Sequence, residues 1–212
     1  MKTYTLEKIT LHHRDCVEAM REMDDDCFDL AIVDPPYGMK AHGAQNGGAG
    51  WLKDRAYNVG KIDSWDIAPP PEYFEELMRV SKNQIIWGGN YFDLRPTRCV
   101  IAWDKCQPWE KFSGWEMAWT SYSKPAPIFK FDNRYAGKIH PTQKPVELYE
   151  WLLGKFANKG DKILDTHFGS GSHGIACHNM GYELTAYEVD GDFIAKTVNR
   201  IQRHQLQLQL PW

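Results

Sequence analysis

The chain has 212 residues, 42% of them hydrophobic, with a formal net charge of -3; this suffices for one α/β domain with a full core but not comfortably for two. No apolar stretch reaches the roughly 18 residues of a membrane span, and the opening MKTYTLEKIT lacks the apolar core of a secretion signal, so a soluble, cytoplasmic protein without a membrane partner is expected. The near-neutral total argues against a nonspecific nucleic-acid coat. Five scattered cysteines (Cys16, Cys27, Cys99, Cys106, Cys177) without a CxxC argue for reduced thiols, and His173 and Cys177 alone at helical spacing do not make a metal site.

In chain order, a strand is predicted over 9–14, a helix over 16–23 and a strand over 28–33. The last ends in DLAIVDPPYG, residues 29–38. Leu30, Ala31, Ile32 and Val33 form a short continuous apolar run of the kind buried on both faces of a parallel sheet. Pro35 and Pro36 then fix φ near about -65° and offer no N–H, so neither helix nor ladder continues. Asp34, free carbonyls and Tyr37 are left projecting from the sheet edge where ligands of open α/β sheets bind. The ordinary reading of an Asp-Pro is a plain strand exit, and it is the four residues together that point to a site.

Residues 38–61 follow, with six glycines and Lys40, Lys53, Arg55 and Lys61 against Asp54. This is too long and glycine-rich for a plain connector and reads as a mobile functional loop. A helix over 71–81 leads to a strand over 84–88 (QIIWG). Asn90, just beyond, either reaches the same edge or caps a helix. Strands over 98–103 and 116–122 come next, EMAWTSY being a candidate antiparallel strand near the sheet edge. Residues 121–145 carry Lys124, Lys130, Arg134, Lys138 and Lys144 against Asp132, interleaved with Tyr122, Phe129, Phe131 and Tyr135. That mixture suits phosphates and bases, although basic runs are commonly just solvated faces. The first 34 residues are acidic by contrast, with nine acids against four bases.

A helix over 145–157, a strand over 162–165, helices over 172–180 and 191–204 and a strand over 183–188 complete the alternation. Strands alternating with helices imply a mostly parallel sheet covered on both faces. The tail QLQLQLPW alternates like a strand but is also consistent with disorder. Between the strand at 162–165 and the following helix lies Gly169-x-Gly171-x-x-Gly174, with Glu188 nineteen residues after Gly169. This satisfies a dinucleotide fingerprint in form. Asp165, however, precedes the glycines, and its charge repels a pyrophosphate while suiting an ammonium or sulfonium ligand. S-adenosylmethionine carries both cations, and ribose hydroxyls for Glu188. A glycine-lined turn for strand–helix packing is the plainer alternative.

With these residues assembled, the chain resembles the amino-methyltransferases acting on exocyclic nitrogen in DNA, in the circularly permuted order that places DPPY before the glycine motif. The resemblance spans nearly the whole length through three blocks: HRDCVEAMREMDDDCFDLAIVDPPYG, HPTQKPVELYEWLL and the glycine strand with GYELTAYEVD. It implies one domain over 1–212 with a Rossmann-like methyltransferase fold and a mostly parallel, seven-stranded sheet. It implies Asp34, Pro35, Pro36 and Tyr37 as catalytic residues and S-adenosylmethionine as cofactor. The cofactor residues it implies are Asp15, Cys16, Asp34, His140, Thr142, Lys144, Asp165, Phe168, Gly169, Ser170, Gly171, Ser172 and Glu188. DNA contacts are expected from Lys40, Lys53, Arg55, Lys61, Lys130, Arg134 and Lys138.

Two departures stand out. Thr166 and His167 replace the family's Pro and Phe after the acid, with Phe168 the aromatic one place later. The segment between the catalytic and HPTQKP blocks must build three strands, leaving no large target-recognition region. Base recognition then falls to the glycine-rich loop, the basic stretch or a second subunit in a homodimer. In the expected chemistry, Asp34 and the Pro35 carbonyl accept from the target amino group, and Tyr37 stacks on the extruded base. Asp at the head of the motif resembles the adenine-N6 form, in an enzyme that is free-standing or paired with a restriction nuclease. Competing readings are cytosine-N4 or RNA methylation, a noncatalytic nucleic-acid-binding module, and a nicotinamide oxidoreductase, which leaves DPPY unexplained.

Overall fold

The structure, a computed structural model, describes residues 2–38, 66–108, 113–132, 134, 138–139 and 143–207. Nine strands among these residues form a single sheet: β1 (Lys2–Leu6), β2 (Ile9–His13), β3 (Leu30–Val33), β4 (Gln84–Trp87), β5 (Val100–Asp104), β6 (Trp115–Thr120), β7 (Ile128–Lys130), β8 (Lys162–Asp165) and β9 (Glu183–Glu188). Their spatial order is 1-2-9-8-3-4-6-5-7. From β2 through β9, β8 and β3 to β4 every pairing is parallel. β6 then runs antiparallel between β4 and β5, and β7 closes the edge parallel to β5. The carboxyl ends of β2, β9, β8, β3, β4, β5 and β7 therefore share one edge of the sheet with the start of β6.

The apolar run of β3 is explained by burial on both faces. Leu30 and Ile32 join a cluster with Ile85, Trp87, Trp103 and Ile163, covered by α3 (Val146–Phe156), α4 (Ser172–Met180) and α5 (Gly191–Gln205). Ala31 and Val33 face the other way, onto Ile86, Leu164, Met20 of α1 (Cys16–Met20) and Tyr73 and Leu77 of α2 (Pro71–Val80). A strand with period-two geometry and both faces dry has no polar positions to spare.

The expected seven strands are all present and the count rises to nine. β1 and β7 escape the sequence pattern because both lie at sheet edges and most of their residues remain accessible. The segment between the catalytic and HPTQKP blocks builds four strands, not three. The first helix stops at Met20, short of the expected 23, because the Glu22 and Met23 N–H groups reach back only three residues, to Ala19 and Met20. The strand expected over 98–103 begins at Val100, since the Cys99 N–H bonds the Thr97 hydroxyl instead of a neighbouring strand. The strand expected over 84–88 closes at Trp87, where Gly88 turns left-handed at φ +68°.

Candidate active site

Asp34 leaves β3 at the shared carboxyl edge with both carboxylate oxygens engaged. The Tyr37 hydroxyl donates to Oδ1 at 2.8 Å and the Lys144 ammonium to Oδ2 at 2.5 Å. Lys144, immediately before α3, is 4% exposed and also lies 3.2 Å from Glu116 Oε2 and 5.1 Å above the Trp87 ring. Glu116 in turn pairs with Lys105, after β5, at 2.5 Å. Two acids and two bases thus alternate in sign along the edge: Asp34, Lys144, Glu116, Lys105. Burial opposes charge on Lys144, but Asp34 and Glu116 outweigh it and hold the ammonium above the usual lysine range. Burial likewise works against the Glu116 carboxylate, yet Lys144 and Lys105 hold its pKa down at about 2. At Asp34 burial wins over Lys144, and Glu116 reinforces it, so the carboxyl sits above its ordinary range. One fifth of its side-chain surface remains accessible.

The Tyr37 ring is held from several sides. It stacks on Tyr91 with centroids 5.0 Å apart and planes 25° from parallel, and meets Phe92 edge-on at 6.1 Å. A Cβ on Gly88 would fall 2.2 Å from Tyr37 Cε1, so only glycine lets the turn after β4 lie against this ring. Asn90 stands exposed in the same 3₁₀ turn, Gly89–Tyr91, and caps nothing with its side chain. Burial, reinforced by the Asp34 charge, raises the Tyr37 phenol well above its ordinary value, so it is a hydrogen-bond donor at any working pH.

Beside β3, the turn leaving β8 is ordered by its acid. Asp165 Oδ1 accepts the His167 N–H at 3.0 Å and Oδ2 pairs with His173 Nδ1 at 2.9 Å, so one oxygen serves the turn and the other the start of α4. The His173 ring, 1% exposed, stacks on Tyr149 at 4.6 Å, and its Nε2 is buried without a partner among the described residues. Thr166 bonds both the Tyr73 hydroxyl and His167 Nδ1. Burial pushes the His167 imidazole down to about 4, keeping it neutral. The Phe168 ring turns into the core, where a Cβ on Gly174 would meet it at 2.6 Å. His167 is half-buried, its ring meeting Tyr73 edge-on at 5.4 Å.

The three glycines have different duties. Side chains at Gly171 and Gly174 would strike Thr197 and Phe168, so these positions serve packing. Gly169, at φ +50°, has no atom closer than 3.9 Å to where a Cβ would be. Its flank is the open one, and its N–H donates to Glu188 Oε2 at 2.9 Å, across to the end of β9. Glu188 Oε1 accepts from Val189 and Asp190, each at 2.9 Å. Burial raises this carboxyl despite the three amides. Ser170 and Ser172 are buried within 3.2 Å of each other, and Arg200 donates to both the Ser170 carbonyl and the Ser172 hydroxyl.

Asp15 caps α1 through Glu18 N–H at 3.0 Å, and Cys16 is buried with its thiol pushed up to about 12, too high for a thiolate. Pro35 is buried and Pro36 half-buried. Lys130 ends β7, beside β5 at the site's edge, and Arg134 follows it, but Lys130 lies 4.0 Å from Asp104 and Arg134 forks onto Asp132. Lys138 is half-buried. His140, Thr142, Lys40, Lys53, Arg55 and Lys61, nearly all of the 38–61 loop and the last five residues of the tail lie outside the described residues. All five cysteines are unpaired. Among the described residues no group of three or more His, Cys, Asp or Glu could hold a metal, and no helix is long and apolar enough to cross a membrane.

Sequence reasoning named Asp34, Tyr37, Lys144 and Glu188, but placed Lys144 with the cofactor, whereas its ammonium is bonded to the acid of the DPPY motif. It missed Glu116, Lys105, Trp87, Tyr91 and His173. A signal for Glu116 was present: an acid in the strand WEMAWT two places before Ala118, on the face where Ala118 is fully buried.

The sequence signature of the DNA methylase family matches residues 81–199. The Type II methyltransferase M2.DpnII of Streptococcus pneumoniae is 21% identical over 94% of this chain and 91% of its own length. The crystal structure of the M1.HpyAVI–SAM complex superposes with a TM-score of 0.60 at 19% identity, covering 91% of this chain and 99% of that one. The cytosine-N4-specific PvuII DNA methyltransferase superposes at 0.62 with 12% identity, covering 98% and 90%. At these identities the superpositions establish a shared fold, a mixed sheet flanked by helices.

Proposed function

This chain belongs to the DNA methylase family, and on that premise we propose that it methylates the N6 amino group of adenine in double-stranded DNA, with S-adenosylmethionine as donor. The observation that carries the reading is Asp34: an acid at the end of a buried parallel strand, followed by Pro35 and Pro36, with Tyr37 and Lys144 fixing its two oxygens. An adenine amino group is a poor nucleophile because its lone pair is delocalised into the ring. Hydrogen bonds accepted by Asp34 and the Pro35 carbonyl draw that nitrogen toward pyramidal geometry and localise the pair. The Asp34 carboxylate also stabilises positive charge developing on the nitrogen.

The open flank of Gly169 and the half-buried Glu188, whose Oε2 keeps a second lone pair, fit the donor. The turn Gly169–Ser172 and Glu188 would hold its adenosyl part, Glu188 accepting from ribose hydroxyls, with neutral His167 adding no positive charge beside a cation. S-adenosylmethionine supplies the methyl group on an electrophilic sulfonium. Extruding the base costs on the order of a few kcal/mol, and stacking on an aromatic ring returns roughly 1–3 kcal/mol. Asp at the head of the motif supports adenine over cytosine, by resemblance to the adenine-N6 form. Lys130 and Arg134, on the same edge, would meet phosphates after exchanging Asp104 and Asp132 for them.

The test is nucleoside analysis of duplex DNA incubated with the protein and labelled donor. N6-methyldeoxyadenosine is the expected product; N4-methyldeoxycytidine would overturn the base assignment, and unmodified nucleosides the activity.

A further inference from the structure

Glu116 is 26% exposed, is flanked by two lysines and belongs to neither the DPPY nor the glycine motif. Its reach is specific: Oε1 to Lys105 at 2.5 Å and Oε2 toward Lys144 at 3.2 Å, while Lys144 holds Asp34 at 2.5 Å. The strands place it there. β6 pairs antiparallel with β4 so that Ala118 opposes Trp87, and Glu116, two residues earlier, lies beyond Trp87 on the same face. With Lys144 stacked above the Trp87 ring, its ammonium is fixed between two carboxylates. An ammonium bound to Asp34 alone would neutralise much of the charge that an incoming amino group needs. Shared with a second acid, it orients Asp34 while compensating only part of that charge.

We propose that Glu116 is a positioning residue for methyl transfer, holding Lys144 in a shared ion pair so that the ammonium orients ionised Asp34 and compensates only part of its charge when the target amino group arrives. This rests on the methyltransferase reading above. Among the described residues, the charged and titratable groups facing Asp34 are Lys144 before α3, Glu116 of β6, Tyr37 in its own segment and Tyr73 of α2. Lys105 after β5 acts on Glu116, and Tyr149 of α3 acts on Tyr37. Of these, Glu116 is the one other acid beside Lys144.

Glu116→Gln keeps the shape and an acceptor oxygen while removing the charge. Two effects follow, and both have a fixed sign. The plateau of kcat falls roughly tenfold, the effect of one unit charge about 10 Å away at an effective dielectric near 20. The acid limb of the kcat profile moves to lower pH, because a like charge no longer disfavours ionised Asp34. Donor affinity stays within about twofold. Lys105→Met with Glu116→Gln removes the lysine that the single change strands, and should move kcat and the acid limb in the same directions but by less, because the lost ammonium offsets part of the lost carboxylate; it decides the matter if the single variant fails to fold.

Wild-type protein in the same assay separates the two readings. No transfer by wild type overturns the methyltransferase assignment and this inference with it. Transfer by wild type with a variant profile superimposable on it overturns the role of Glu116 alone. A fall in donor affinity parallel to activity, with no movement of the acid limb, would make Glu116 merely structural and also overturn the proposal.

Discussion

Tyr37 carries two separable roles, because its hydroxyl is spent on Asp34 while its ring faces Tyr91 and Phe92. Tyr37→Phe keeps the ring and deletes one hydrogen bond to a charged acceptor, worth about 1.5–3 kcal/mol. The expected outcome is a kcat lower by roughly ten- to a hundredfold with the KM for DNA little changed. Tyr37→Ala should raise that KM as well; an unchanged KM would remove the ring from base binding. Glu188 is expected to act on the donor instead. Glu188→Gln replaces an oxygen that accepts backbone amides with an NH₂ that repels one of them, and it loses the charge offered to ribose hydroxyls. Isothermal titration should find donor affinity weakened by about 1–3 kcal/mol; affinity unchanged within about twofold would place Glu188 outside the pocket. The placement of Asp34 and Tyr37 just after β3 and of Glu188 at the end of β9 was legible because each belongs to a spaced motif that closes a strand. The Lys144–Asp34 bond was not, since its partners lie 110 residues apart and no local pattern links them. Phe168 was assigned to the pocket because it is aromatic and adjacent. The space left by Gly174 decides otherwise, and it can be seen only in three dimensions.

The turn after β4 shows how a short element serves the site. Gly88 has φ +68° and its flank is filled by the Tyr37 ring, so Gly88→Ala meets both backbone strain and a clash at 2.2 Å. Since Tyr37 must move, its hydroxyl should leave Asp34. Methyl transfer should fall at least as far as in Tyr37→Phe, while the donor, which we place at the β8 and β9 ends, should bind as before. A crystal structure of the variant with the Tyr37–Asp34 bond intact at 2.8 Å and normal activity would refute this coupling. The buried strands β3, β4, β8 and β9 were read from the sequence nearly to the residue because continuous apolar runs bounded by polar or glycine positions leave few alternatives. The edge strands were not. In β7 the Ile128 and Lys130 side chains are exposed and only Phe129 packs inward, so three residues carry too little hydrophobic contrast to announce a strand.

Across the fold, the parallel strands gather four acids, Asp15, Asp34, Asp165 and Glu188, along one edge that also carries the Lys130 and Arg134 pairs. The small net charge of the chain, -3, conceals this local arrangement. The same edge makes stability depend on pH through His167. Burial lowers its folded pKa to about 4 from an ordinary 6.5, so between these values the unfolded chain binds a proton that the folded one does not. Its contribution to stability is complete above pH 6.5 and is lost as pH falls toward 4. His167→Phe removes the titrating group, so the Tm of wild type relative to the variant should decline across that window. A difference in Tm that is constant from pH 7 to 4 would contradict the burial of a neutral imidazole.

The proposed division of this edge into an acceptor half at Asp34 and a donor half at Gly169 and Glu188 is tested most directly by Asp34→Asn, assayed by donor titration and by methyl transfer to duplex DNA on the same preparation. The predicted result is a loss of transfer on the order of 10²-fold or more, with donor affinity within about threefold of wild type. Donor affinity falling in step with transfer would contradict the division, and would place Asp34 in the cofactor pocket or in the scaffold.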